Sequence, residues 1–288
     1  MIDIDLKQPR NALLYAAAMK IRTDLAAMSW YDAGFLRRYE AAKRFLKIAN
    51  PGALDDFVAG FDPLRTDPGF KVVHLHDLFD AETFQTIRDT IAAMPTALLE
   101  HHERDGFGRE VVHDHPYFSQ LQASLTERMS QWVGQEVEPA YNFLSLYSGL
   151  GVCEPHMDEP MAKWTLDICV DQSVEWPIYF SQIVDWPTTE AAGRQSAEII
   201  GDPELQFEAA TLHPNNAIIF SGSSQWHYRD RIPGQQSAYC NLLFFHYFPK
   251  GYRHLVEPKQ WARHFGLPEL DILISTFELQ TSSKLATA

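Results

Sequence analysis

Cysteine is scarce, basic residues are outnumbered, and no long apolar run occurs in these 288 residues. The three cysteines, Cys153, Cys169 and Cys240, form an odd set without Cys-x-x-Cys spacing. Reduced, buried thiols are therefore expected rather than disulfides or zinc ligands. No apolar stretch approaches the roughly twenty residues that span a bilayer. The start, Met1-Ile2-Asp3-Ile4-Asp5, lacks the basic and then apolar order of a signal segment. A cytoplasmic protein without a membrane partner is the expectation. Lysine and arginine number 24 against 38 acidic residues, a formal charge of −14, which argues against nucleic acid as a partner. Internal repeats, low-complexity blocks and phosphate-binding glycine loops are also missing, and Gly222-Ser223-Ser224 is not a nucleophile elbow.

What is present suits a globular enzyme: 45% hydrophobic and 12% aromatic residues are ample for one core with helical additions. Helical periodicity covers Ala12 to Met28 and Asp32 to Ile48, and Pro51-Gly52 interrupts it. A strand is predicted near Lys71 to Leu75, a helix capped by Asp80, and a second helix from Pro116 to Val133. Strands then dominate to Phe248, followed by helices over Pro258 to Phe265 and Glu269 to Leu279, with a frayed tail from Gln280. This divides the chain into a helical N-terminal extension (1–65) packed on a core, a catalytic domain (66–250), and C-terminal helices with a tail (251–288). The apolar helix at 269–279 needs a partner, either the N-terminal helices or a second copy in a homodimer. Val184 to Asp202 is the candidate lid or pocket loop.

Chemistry concentrates at His156-Met157-Asp158 and at His227, which follows the apolar run Ala217-Ile218-Ile219-Phe220 and the turn Ser221 to Ser224. Residues two apart on a strand share a face, so His156 and Asp158 converge. Two histidines and one carboxylate bind one face of a ferrous ion and leave the opposite face open. Tyr147 stands upstream on the preceding strand-like run.

A tyrosine, then His-x-Asp, an apolar strand and a distal histidine, in that order, resembles the Fe(II)/2-oxoglutarate-dependent dioxygenases over roughly Pro139 to Phe248. The resemblance implies an α+β fold with a double-stranded β-helix (jelly-roll, cupin-like) core and supporting helices. It implies Fe(II) on His156, Asp158 and His227, with 2-oxoglutarate as co-substrate, O2 as oxidant, and succinate and CO2 as products. Hydroxylation of an unactivated C–H bond in a small molecule, an amino acid or biosynthetic intermediate, is the default outcome. Tyr147 corresponds to the family's co-substrate tyrosine. The family's basic residue, about ten positions after the distal histidine, falls here on Ser237, a departure. Arg229 is favoured in its place because a planar fork holds a carboxylate bidentately; Arg231 and Lys163 are the other candidates.

Each residue also has a plainer reading. Twelve histidines make chance pairs common, and His74-Leu75-His76 and His113-Asp114-His115 are read as structural, with His113 retained as a pocket candidate. Trp164 and Trp226 flank the site and either shape a substrate pocket or fill core. His246, expected to end a strand beside the one bearing His227, is read as a core or ligand-supporting histidine. Two other functions stay open: a cupin-like iron enzyme that does not use 2-oxoglutarate, and a non-catalytic ligand-binding barrel.

Overall fold

The computed structural model describes residues 5–24, 33–186, 196–234 and 236–285. The chain divides into two compact units. One comprises Met1–Arg65, Asp185–Arg194 and Gly251–Ala288, and the other Thr66–Val184 and Gln195–Lys250.

The first unit is helical: α1 (Pro9–Asp24), α2 (Gly34–Ala49), α3 (Leu54–Ala59) and, after the second unit, α9 (Arg253–Val256), α10 (Trp261–Phe265) and α11 (Glu269–Leu285). Phe35, Tyr39, Phe57, Phe61 and Trp261 form its buried aromatic core, with ring centroids 4.9 to 6.4 Å apart. The apolar face of α11, with Leu270, Ile272, Leu273 and Ile274 buried, packs against α1 and α2 of the same chain, the first of the two partners left open. Helix α11 runs on to Leu285, where the sequence predicts a frayed tail. The predicted helical residues 25–28 and 32 lie outside the described residues.

Among the described residues the second unit carries ten strands: β1 (Val73–Leu75), β2 (Arg109–His113), β3 (Val137–Tyr147), β4 (Cys153–His156), β5 (Trp164–Gln172), β6 (Ile178–Phe180), β7 (Glu208–Ala210), β8 (Ala217–Ser221), β9 (His227–Arg229) and β10 (Cys240–Pro249). They form a six-stranded sheet ordered β1-β8-β5-β10-β3-β2 and a four-stranded sheet ordered β4-β9-β6-β7, with every pairing antiparallel. Ile178, Phe180 and Ala210 of the smaller sheet share one core with Tyr147, Cys169, Ile218, Phe220, Leu242 and Phe244 of the larger. The unit is a double-stranded β-helix, with α4 (Ala81–Ala92), α5 (Arg104–Phe107), α6 (Pro116–Ser124), α7 (Thr126–Val133) and α8 (Ser196–Ile200) around it.

Strand β10 shows why the larger sheet reads as a continuous apolar run. Leu242 and Phe244 face the smaller sheet, while Leu243, Phe245 and Tyr247 join Phe118, Leu125 and Met129 of the helical layer. On β5 the same alternation puts Leu166, Ile168 and Val170 on the helix side. Thr165 and Asp167, paired across from His246 and Phe244, then fall on the inner face.

Three expectations are corrected. Pro116 to Val133 is two helices rather than one. The break falls at Leu125 (φ −88°, ψ −4°), where Ser124 Oγ bonds the Leu121 carbonyl and competes with the helical ladder. Within the candidate lid, residues 187–195 lie outside the described residues and 196–200 form α8 rather than loop. Strand β10 lies in the six-stranded sheet, so His246 is not on a strand beside that of His227. All three cysteines are free thiols, with Cys169 and Cys240 buried. Among the described residues no helix is long and apolar enough to cross a membrane.

Candidate metal centre and co-substrate pocket

His156 is the last residue of β4 and the register partner of His227, the first residue of β9, so strand pairing alone sets their rings 4.2 Å apart. Asp158 lies beyond the strand end. Its N–H donates to the Gly222 carbonyl (2.8 Å), which turns the carboxylate back toward both imidazoles. The convergence expected from a continuous strand is therefore achieved by this one bond across to the turn after β8. Asp158 Oδ1 is 3.4 Å from His156 Nε2 and 3.6 Å from His227 Nε2. One ligand atom from each of the three residues lies within 4.8 Å of the others, and all three residues are buried.

The hydrogen bonds fix which atoms face inward. His156 Nδ1 sits 2.8 Å from the Glu154 carbonyl and His227 Nδ1 3.0 Å from that of Gln225. A carbonyl only accepts, so each Nδ1 carries a proton, and each ring once neutral turns a bare Nε2 toward Asp158. Backbone carbonyls behind imidazoles are the usual outer shell of a metal site. Thr165 Oγ1 donates to Asp158 Oδ2 (3.2 Å), so one carboxylate oxygen is occupied and the other faces the rings. Two imidazoles and a single carboxylate oxygen on one side match the facial set of non-heme ferrous sites.

Burial pulls the Asp158 carboxyl upward, yet His227 and His156 beside it hold it well below the usual carboxylate range. Burial lowers the His156 imidazole, while Cys153 and Asp158 hold it well above the ordinary value of 6.5. An imidazolium cannot ligate, so metal entry must displace that proton. Metal affinity is expected to fall about tenfold per pH unit below the raised value of His156, for one proton released. Competition titrations against a chromophoric chelator between pH 6 and 9 read this slope.

Tyr147 and Arg229 do reach the interior, but in a different arrangement from the predicted one. The Arg229 guanidinium is committed: one nitrogen donates to Asp167 Oδ2 (2.7 Å), another to the Trp176 carbonyl (2.5 Å), and it lies 5.0 Å from the Trp176 ring centroid. Asp167 is fully buried, so Arg229 neutralises a buried carboxylate and its fork is not open to a ligand, which corrects the role assigned to it. The cation beside Tyr147 is Arg109, which donates to the Tyr147 hydroxyl (2.7 Å) and to Ser145 Oγ (3.2 Å) through one nitrogen and to Glu103 Oε2 (2.5 Å) through Nε. Arg109, Ser145 and Tyr147 share the inner face because Arg109 pairs with Tyr147 in the β2 and β3 register. A cavity of about 560 Å³ at this end of the larger sheet is lined by Arg109 and Tyr147 together with Ile91 and Leu146 of the helix side, so it lies across the sheet's end and not inside the barrel. Arg109 escaped the sequence reading because β2 precedes the motif by more than forty residues; its alternation with Val111 and His113 was the available signal.

The remaining candidates are elsewhere. Arg231 is exposed and donates to the Leu150 carbonyl (3.3 Å). Trp164 packs with the helix-side core against Phe70, one residue out of phase with the inward Thr165, which corrects its assignment to the pocket. Trp226 is buried in the turn entering β9, its backbone bonded to Ser181. His113 is at the half-exposed end of β2, bonded to Glu100 (2.8 Å) and near the Phe143 ring. Lys163 Nζ bonds Gln135 (2.9 Å) and lies over the Trp164 ring, so it too belongs to the helix side rather than the co-substrate pocket. Burial lowers its ammonium from 10.5 to about 8. A lowered folded-state value opposes folding at pH below 8, and the effect fades as pH rises from 8 to 10.5. Lys163→Met is thus expected to raise Tm by about 2 to 4 °C at pH 7, with a smaller gain at pH 10 and unchanged metal affinity; thermal melts at the two values check it.

No family model matches the chain, and no curated protein matches it. Among solved structures, it is similar to HygX from Streptomyces hygroscopicus with nickel, 2-oxoglutarate and hygromycin B bound: 12% identity, 68% of this chain and 87% of that chain, TM-score 0.50. Two further similar structures are the non-heme alpha ketoglutarate dependent epimerase SnoN from nogalamycin biosynthesis (14%, 72% and 89%, 0.46) and EctD from S. alaskensis with 2-oxoglutarate and 5-hydroxyectoine (15%, 66% and 74%, 0.46). At such identity the likeness to HygX speaks for a shared fold.

Proposed function

We propose that this chain is a non-heme Fe(II)/2-oxoglutarate-dependent oxygenase that oxidises a small molecule, with hydroxylation of a C–H bond as its reaction. The observation that carries the reading is the buried convergence of two imidazole Nε2 atoms and one carboxylate oxygen. His156, Asp158 and His227 would hold the iron. Asp158 is a carboxylate rather than the small residue that vacates a site for chloride in the family's halogenating branch. Bound there, iron and 2-oxoglutarate would supply oxygen activation coupled to oxidative decarboxylation to succinate and CO2. Arg109, bonded to Tyr147 and Ser145 and paired with the buried Glu103, is the cation that would meet the distal carboxylate of the co-substrate. The fold shared with HygX, solved with nickel and 2-oxoglutarate, supports the same reading.

A second reading, an iron enzyme that does not use 2-oxoglutarate, is favoured by one observation: Arg229 is consumed by Asp167, and the exposed Ser237 stands where the family has a basic residue. Succinate release and O2 consumption separate the two. Arg109→Met, made together with Glu103→Gln so that no buried carboxylate is left unpaired, is expected to raise the 2-oxoglutarate Kd about tenfold or more, the loss of one charge-assisted pair, and to leave iron affinity unchanged. O2 consumption with iron alone, independent of 2-oxoglutarate, would favour the second reading.

A further inference from the structure

Beside the metal cluster, the inner face of the larger sheet carries an acceptor with no donor. His246, 3% exposed, bonds Thr165 Oγ1 through Nδ1 (3.1 Å), and its Nε2 has no hydrogen-bond partner. The one Thr165 hydroxyl proton has Asp158 Oδ2 (3.2 Å), the Ala162 carbonyl (3.5 Å) and His246 Nδ1 within reach; the charged carboxylate is the strongest acceptor, which assigns Thr165 as acceptor at His246. His246 is therefore the Nδ1–H tautomer, and Nε2 is a bare lone pair. Burial pushes this imidazole down to about 4, so it is neutral at ordinary pH. A buried acceptor left unmatched is costly, and such groups recur where a ligand completes them.

The surroundings define what completes it. Phe143 and Phe244 are register partners on β3 and β10 and stack face to face across the strands, centroids 4.8 Å apart. His246 is parallel to Phe244 within 1°, and Tyr141 parallel to Phe143 within 13°. His246 pairs with the inward Thr165 and so shares the inner face with Phe143 and Phe244, its Nε2 buried among these rings. Tyr141 and Phe143 are half-buried, and His113, 5.6 Å from Phe143, carries the row out to solvent.

Ring edges are the positive rim of the aromatic quadrupole, so they disfavour a cation and suit an electron-rich ring. The carboxylates around the row are committed, Asp158 to the cluster, Asp167 to Arg229 and Glu100 to His113. Arg109 lies over the Phe143 ring (5.3 Å to the centroid), but its charge is taken by Glu103 and the proposed co-substrate carboxylate, and the His246 lone pair repels an anion. We propose that His246, Tyr141, Phe143 and Phe244 form the substrate subsite beside the metal cluster, and that it takes an uncharged aromatic group bearing one O–H or N–H, donated to His246 Nε2. The inference deepens the oxygenase reading and rests on it only for the fate of the bound molecule.

The test is an NMR titration of the full chain, labelled with 15N-histidine, using phenol, anisole, benzoate and benzylamine as probes, with and without cobalt(II). Phenol is expected to saturate, to move the His246 Nε2 resonance, and to bind about tenfold more tightly than anisole, the factor for one hydrogen bond. His246→Phe should bring the ratio close to one, and His246→Gln, which keeps an acceptor, should retain part of it. Equal binding of phenol and anisole by the unaltered chain, or tighter binding of benzoate or benzylamine, overturns the proposal. Cobalt uptake without phenol selectivity defeats the subsite and leaves the metal reading standing. Phenol selectivity without cobalt uptake does the reverse.

Discussion

Gly222→Ala is expected to lower metal affinity by about 100-fold, the upper end of what removing a supporting contact costs, although residue 222 ligates nothing. A Cβ at this position would overlap Asp158 Oδ2 and stand 2.5 Å from the Ala162 carbonyl. The backbone cannot move away independently, because the Gly222 carbonyl is what accepts the Asp158 N–H. Either the carboxylate swings off the two imidazoles or the turn that hands β8 to β9 shifts; both dismantle the cluster. Ser223→Ala is the matched control. The Ser223 hydroxyl is buried without a hydrogen-bond partner, so its removal should leave metal affinity unchanged and stability equal or slightly higher. Cobalt(II) titration of the two variants, with thermal melts to show that each folds, checks the pair of expectations.

The second large effect concerns folding. Arg229→Leu is expected to destabilise the protein by about 3 to 5 kcal/mol, because it leaves Asp167 as an uncompensated buried charge. Burial already raises the Asp167 carboxyl, with Arg229 opposing that rise. Without the arginine the carboxyl would titrate much higher still, and the variant should be least destabilised in acid, where Asp167 is protonated. Asp167→Asn in the same background is expected to restore a large part of the loss. Denaturant unfolding of the single and double variants gives the coupling directly. If Arg229→Leu kept full stability and lost only 2-oxoglutarate binding, the original assignment of this arginine would be right and the one argued from its hydrogen bonds wrong.

That arginine marks where the sequence stops being informative. His156 and Asp158 were legible because their spacing is local, and His227 because an apolar strand and a turn announce its place. Arg229 stands two residues after His227 on β9 and so shares its face. Its partner Asp167 lies 62 positions earlier on a strand of the other sheet, and no periodicity connects the two. Arg109 was missed for the same reason: its position beside Tyr147 is a product of β2 and β3 register, not of any motif. Trp164 shows the opposite error, since proximity in sequence to the metal pair suggested the pocket while a one-residue difference in phase put its ring under the helices and Thr165 inside. The jelly roll was implied by the family resemblance that Tyr147, His156, Asp158 and His227 carry, whereas nothing in the local pattern marked Leu125, where Pro116 to Val133 divides into two helices.

The most direct test of the account is an anaerobic titration of the protein with ferrous iron and then 2-oxoglutarate, watched for the weak visible charge-transfer band of the chelate, with Asp158→Ala alongside. The account predicts one iron per chain, a band that appears only when both are present, and loss of both signals in Asp158→Ala. Absence of iron binding by the unaltered protein, or binding that Asp158→Ala leaves intact, would contradict it.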